Sequence, residues 1–90
     1  METFKTATEI TIRVLCFAQL KGHLGESEFS LSLPKGATGH DLLERLAERA
    51  PPLRPLLLVS RLAVNGEYTS FEKILEEGDE VVVIPPVSGG

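Results

Sequence analysis

From Glu9 to Ala18 apolar residues hold every second position: Ile10, Ile12, Val14 and Cys16 share one parity, Thr11, Arg13, Leu15 and Phe17 the other. That alternation predicts a strand with its even-numbered side chains in the core. The odd side starts polar but finishes with Leu15 and Phe17. Leu20 to Ser27 holds Gly22 and Gly25 among polar neighbours and reads as a loop or hairpin connection. Glu28 to Leu33 alternates again, with Phe29, Leu31 and Leu33 inward, and predicts an antiparallel partner for the first strand.

Pro34-Lys35-Gly36 ends that strand. Thr38 then offers a cap with Asp41 three residues on. Leu42, Leu43, Leu46, Ala47 and Ala50 recur at helical spacing, and Pro51-Pro52 stops the helix. Leu56 to Val59 fits a strand, a turn of helix or a packed loop. Arg61 to Asn65 reads as a short strand closing on Asn65-Gly66, a strong hairpin-turn signal, after which Glu67 to Thr69 pairs back. Phe71, Ile74 and Leu75 suggest one helical turn, and Glu77 to Glu80 a bend into a last strand, Val81 to Ile84.

The order is strand, strand, helix, strand, short strand, helical turn, strand, an α+β chain. One helix covers one face of a sheet, and a sheet with an open face normally alternates apolar and polar. The last strand does not: with Val81 and Val83 in the core, Val82 and Ile84 join Leu15 and Phe17 on the other side. A contiguous exposed apolar patch marks a surface for a protein partner. Alternatively, the segment Leu53 to Val59 folds over that face.

Ninety residues allow one core. A formal charge of −4 argues against nucleic acid, whose phosphates need clustered Lys and Arg. One cysteine and two histidines make neither a disulfide nor a structural zinc site, so no metal is expected. The chain shows no membrane span and no secretory signal, and cytoplasm is the expected location. Cys16 reads as core filler, His40 as a surface residue of the first helical turn, and His23 lies in a loop without a second ligand or base. No nucleophile–base arrangement is evident, so the body carries no catalytic apparatus of its own.

What remains is Pro85-Pro86-Val87-Ser88-Gly89-Gly90. Two prolines without amide donors end the ladder and stiffen the exit. These six residues reach roughly 20 Å when extended. Nothing in them is charged except the carboxylate of Gly90. A slender arm of this kind presents a carboxylate to another protein's pocket, where ATP-dependent activation as an acyl-adenylate would open it to a sulfur or amine nucleophile.

The strand with Phe17-Ala18-Gln19-Leu20, the segment Phe71 to Val81, and above all Pro85-Pro86-Val87-Ser88-Gly89-Gly90 resemble the MoaD family of ubiquitin-like sulfur carriers, the molybdopterin synthase small subunits. The likeness spans roughly Ile10 to Gly90. It implies a ubiquitin-like β-grasp: a mixed sheet of four to five strands on one main helix, with an extension over residues 1–8, the domain over 9–84 and a functional tail over 85–90. It further implies that an E1-like adenylating enzyme uses ATP to activate Gly90, beside Gly89, and that a sulfurtransferase supplies the sulfur of a thiocarboxylate. The tail then enters the large subunit, which carries the catalytic lysines, and gives its sulfur to cyclic pyranopterin monophosphate. The partner-binding residues implied are Leu15, Phe17, Val82, Ile84, Pro85, Pro86, Val87 and Ser88. Alternatives are a sulfur carrier for thiazole, thiolated tRNA or cysteine synthesis, a ubiquitin-like protein modifier, and a β-grasp interaction module with an inert tail.

Overall fold

Alternation in two early segments and a valine-rich run near the end assemble one five-stranded sheet. In the computed structural model, which describes residues 8–16 and 19–86, the strands are β1 (Glu9–Cys16), β2 (Glu28–Pro34), β3 (Arg61–Val64), β4 (Glu67–Thr69) and β5 (Glu80–Ile84). Their order across the sheet is β2-β1-β5-β3-β4. β5 lies between β1, to which it runs parallel, and β3, to which it runs antiparallel; the two outer pairs are antiparallel. This is a ubiquitin-like β-grasp with a mixed sheet.

The main helix is α2 (Gly39–Arg49). Asp41 accepts from the Thr38 N–H at 2.8 Å, closing the capping box that Thr38 and Asp41 foretell. Leu42, Leu43, Leu46 and Ala47 are buried and pack on Ile10, Ile12, Val14 and Cys16 of β1 and on Val81 and Val83 of β5. The even parity of β1 is the core face, as its alternation predicts.

Gly39 opens α2 where no side chain fits. A Cβ there would meet Leu62 Cδ2 at 2.7 Å and Phe71 Cα at 3.0 Å.

Two segments differ from the sequence expectation, and a third settles among the readings left open. Gln19–Leu24 forms a short helix, α1, in the connection between β1 and β2. Leu20 and Leu24, four residues apart, both turn into the core. Of the three conformations open to Leu56 to Val59, the helical one is found as far as Leu58: a 3₁₀ turn at Pro51–Leu53 runs into α3 (Arg54–Leu58). Proline is tolerated there because a first helical turn has no partner for its N–H.

Phe71 to Leu75 is not a helical turn. The Gly39 and His40 N–H groups donate to Lys73 O at 3.2 Å and Phe71 O at 3.0 Å, and the Leu75 N–H donates to Ala37 O at 2.8 Å. The segment therefore runs alongside the entrance of α2 and satisfies donors that a helix start leaves unpaired. Leu75 is buried by this, whereas Ile74 is left 57% exposed.

Asn65 and Gly66 have φ of 52° and 88°, the left-handed pair that a two-residue hairpin turn requires. Asn65 then ties the turn to β5: its side-chain amide donates to Asp79 at 2.9 Å and accepts from the Glu80 N–H at 2.9 Å.

Candidate partner surface and tail exit

The parity of β1 and β5 that misses the core meets across the sheet. Leu15 is the direct partner of Val82, and Val82 the direct partner of Ala63. Glu28 stands opposite Leu15 at one end of this row, and Tyr68 opposite Ala63 at the other. Ile84, two residues beyond Val82 on the same face, stands opposite Arg61. Leu15, Val82 and Ile84 are each half-buried, and Ala63 is buried yet lies outside the main core cluster. Leu53 and Leu57 turn into the core with the residues of α2 rather than over this row.

Charged residues frame the apolar row. Arg13 donates through Nε to Glu28 at 2.8 Å, and its guanidinium also pairs with Glu80 at 3.5 Å. These side chains are about half exposed, so each pair adds little to stability, typically about 0–1 kcal/mol. On the other side of the row the Arg61 guanidinium lies over the Tyr68 ring, 4.7 Å from its centroid.

β5 ends at Ile84, and Pro85, half-buried, and the exposed Pro86 carry the chain away from the sheet. Without amide hydrogens these two residues cannot extend the ladder to either neighbour. The exit lies at the end of a central strand, directly beside the Leu15–Val82–Ile84 patch. Of the residues expected to contact a partner, Leu15, Val82, Ile84, Pro85 and Pro86 are brought together here. Phe17, Val87, Ser88, Gly89 and Gly90 lie outside the described residues.

Cys16 is fully buried, and burial pushes its thiol up to about 11 against the smaller opposing influence of Arg49. It is therefore protonated at neutral pH and inert as a nucleophile. On the surface, Arg54 grips Glu44 with two hydrogen bonds of 3.0 and 3.1 Å, which hold the Glu44 carboxyl below its usual range. That pair braces α3 against α2. Among the described residues no helix is long and apolar enough to cross a membrane.

Sequence reasoning overlooked Ala63, Tyr68 and Arg61 as part of this face. The signal was present in Asn65-Gly66: a two-residue turn forces Val64 opposite Glu67 and hence Ala63 opposite Tyr68.

Residues 14–90 match the ThiS family. The chain belongs to the ThiS family. Its relatives include the molybdopterin synthase sulfur carrier subunit of Arabidopsis thaliana, 35% identical over 83 residues, covering 92% of this chain and 86% of the relative. The protein of the same description from Dictyostelium discoideum is 37% identical over 81 residues, covering 87% of this chain and 94% of the relative. A solved structure from Pyrococcus furiosus, described as molybdopterin converting factor, subunit 1, superposes with a TM-score of 0.79 at 31% identity, covering 87% of this chain and 99% of that one. In this ThiS-family chain the matched span takes in the open face, the exit and the Gly-Gly pair.

Proposed function

We propose that this chain is the sulfur carrier subunit of molybdopterin synthase. The observation that carries the reading is the exit of the tail from the end of central β5, beside an apolar row that the fold leaves uncovered. Curated relatives at 35 and 37% identity over most of the chain bear that description. A body with a fully buried, protonated thiol suits a carrier better than an enzyme.

In this reading Gly90 presents its carboxylate to an E1-like adenylating enzyme. The carboxylate attacks the α-phosphate of ATP and pyrophosphate leaves; the outer sulfur of a sulfurtransferase persulfide then displaces AMP from the acyl-adenylate, and a second thiol reduces the resulting acyl disulfide, leaving the thiocarboxylate on Gly90 and a disulfide on the partner. Glycine at both final positions keeps the reacting carbonyl free of branching and lets a partner's backbone close around the arm. The thiocarboxylate then enters the large subunit and donates sulfur to cyclic pyranopterin monophosphate, building the dithiolene of molybdopterin. Leu15, Val82 and Ile84 form the base on which the large subunit seats, with Phe17 as a further member and Pro85 to Ser88 as the stem. The adenylating enzyme uses the same face at a different time. This chain holds no cofactor itself; ATP and the catalytic lysines belong to its partners.

Reconstitution tests the reading. The full chain, combined with the large subunit, the adenylating enzyme, ATP and a sulfur source, is expected to yield molybdopterin from cyclic pyranopterin monophosphate. A chain lacking Gly89-Gly90 is expected to yield none. Equal product from the truncated chain overturns the assignment.

A further inference from the structure

Five arginines occur in the sequence, in a chain of net charge −4. Four of them are ion-paired within the fold: Arg13 with Glu28 and Glu80, Arg45 with Glu48, Arg49 with Glu26, and Arg54 with Glu44. Arg61 is the exception among the described residues. Its guanidinium has no carboxylate and rests instead over the ring of Tyr68. Both side chains are exposed.

Its position is specific. Arg61 is the direct cross-strand partner of Ile84, the last residue of β5 before the Pro85-Pro86 stem. It therefore shares the open face with Leu15, Val82 and Ile84 and stands at the foot of the tail. A surface acidic overall has paired its other arginines with carboxylates, and among the described residues Arg61 is the one arginine left without such a partner. Stacking on Tyr68 restrains the guanidinium plane and leaves the N–H fork along its edge free. A restrained fork loses less entropy when it forms a bidentate bond to a planar carboxylate.

We propose that Arg61, held by Tyr68, is a charge-reading contact of the tail-receiving surface, and that the protein partner seated on this face presents an Asp or Glu carboxylate to it. This rests on the sulfur-carrier reading for the partner's identity and adds to it the chemistry the partner must show: an apolar patch for Leu15, Val82 and Ile84 with an acidic side chain at its edge, beside the mouth that takes the tail. The apolar row supplies contact area, and the ion pair fixes orientation, so that the stem points into the pocket. Such a pair also disfavours partners with a basic residue at that place.

The test is the affinity of the full chain for the purified large subunit, with Arg61→Glu, Arg61→Lys, Arg61→Ala and Tyr68→Ala beside the unaltered protein. Arg61→Glu is expected to weaken binding by about 100-fold, Arg61→Ala by about tenfold, and Arg61→Lys by less, since it keeps the charge but not the fork. Affinity of the unaltered chain is expected to respond to added salt differently from that of Arg61→Ala, the difference corresponding to one screened pair. Tyr68→Ala is expected to fall between the lysine variant and the alanine variant. Thermal unfolding of each variant checks that the fold is unchanged.

Equal affinity for the unaltered chain and Arg61→Glu, with Ile84→Asp still losing binding, overturns the Arg61 contact and leaves the sulfur-carrier reading standing. Failure of the unaltered chain to bind the large subunit at all overturns both.

Discussion

Leu15 and Val82 stand directly opposite one another across the parallel β1–β5 pair, on the sheet face that α2 does not cover. Each is half-buried, and their strand neighbours Val14, Cys16, Val81 and Val83 are fully buried on the opposite side. The same two strands therefore serve two surfaces at once. One parity holds the domain together, and the other is available to a partner at the base of the tail.

A charge placed in the second parity should leave the first intact. Ile84→Asp and Val82→Asp are expected to weaken binding of the large subunit by about 100-fold or more, as expected for the centre of an interface. Stability should change by no more than about 1 kcal/mol, because these side chains are only half-buried. Calorimetric titration and denaturant unfolding check the two halves separately. Loss of binding accompanied by equal loss of folding would show that the row belongs to the core.

Gly39 makes the opposite case, a buried position at the start of α2 that limits the fold. With Leu62 Cδ2 at 2.7 Å and the Phe71 backbone at 3.0 Å from a built Cβ, Gly39→Ala must shift a side chain and a paired segment. Destabilisation of about 1–3 kcal/mol is expected from such overpacking, measured by urea unfolding. Carrier activity at a temperature where the variant is folded should be retained.

The cap of α2 gives a smaller effect. Asp41→Ala removes the acceptor for the Thr38 N–H and should cost about 1 kcal/mol in denaturant unfolding. Asp41→Asn, which keeps an oxygen acceptor, should recover part of that loss.

Cys16 sets an alkaline limit. Its thiol ionises near 9.0 when unfolded and near 11 when folded, because burial penalises the thiolate. The unfolded chain therefore sheds its proton first as pH rises, and the stability present below pH 9 is lost progressively between about pH 9 and 11. The loss amounts to about 3 kcal/mol at most. Cys16→Val, similar in volume, should show a shallower decline over that range when unfolding is followed against pH. An identical decline in both proteins would mean the thiol is not the cause.

How much of this the sequence shows depends on whether a local signal has one reading. The period-two pattern of Ile10, Ile12, Val14 and Cys16 has only one, as does the Thr38–Asp41 cap, and both are found as expected. The open face is legible for a subtler reason: four apolar residues in a row, Val81 to Ile84, cannot all be in a core that one helix covers. Short helices are harder. In α1, Gly22 masks the spacing of Leu20 and Leu24, which tertiary packing then exploits. In α3, Pro55 reads as a breaker although the first turn accommodates it. The path of Phe71 to Leu75 is decided by donors at the start of α2, more than thirty residues earlier in the chain, and no local pattern carries that. Arg61 was legible as a cation but not as an unpaired one, because pairing is a property of the assembled surface.

The central claim concerns the chemistry of Gly90, and intact mass addresses it most directly. The protein is purified from its own cells under sulfur-replete conditions, beside a form lacking Gly90. The account expects a mass gain equal to the replacement of one oxygen by sulfur in the complete chain and none in the truncated one. An unmodified terminus in the complete chain, under conditions where molybdopterin is being made, would contradict it.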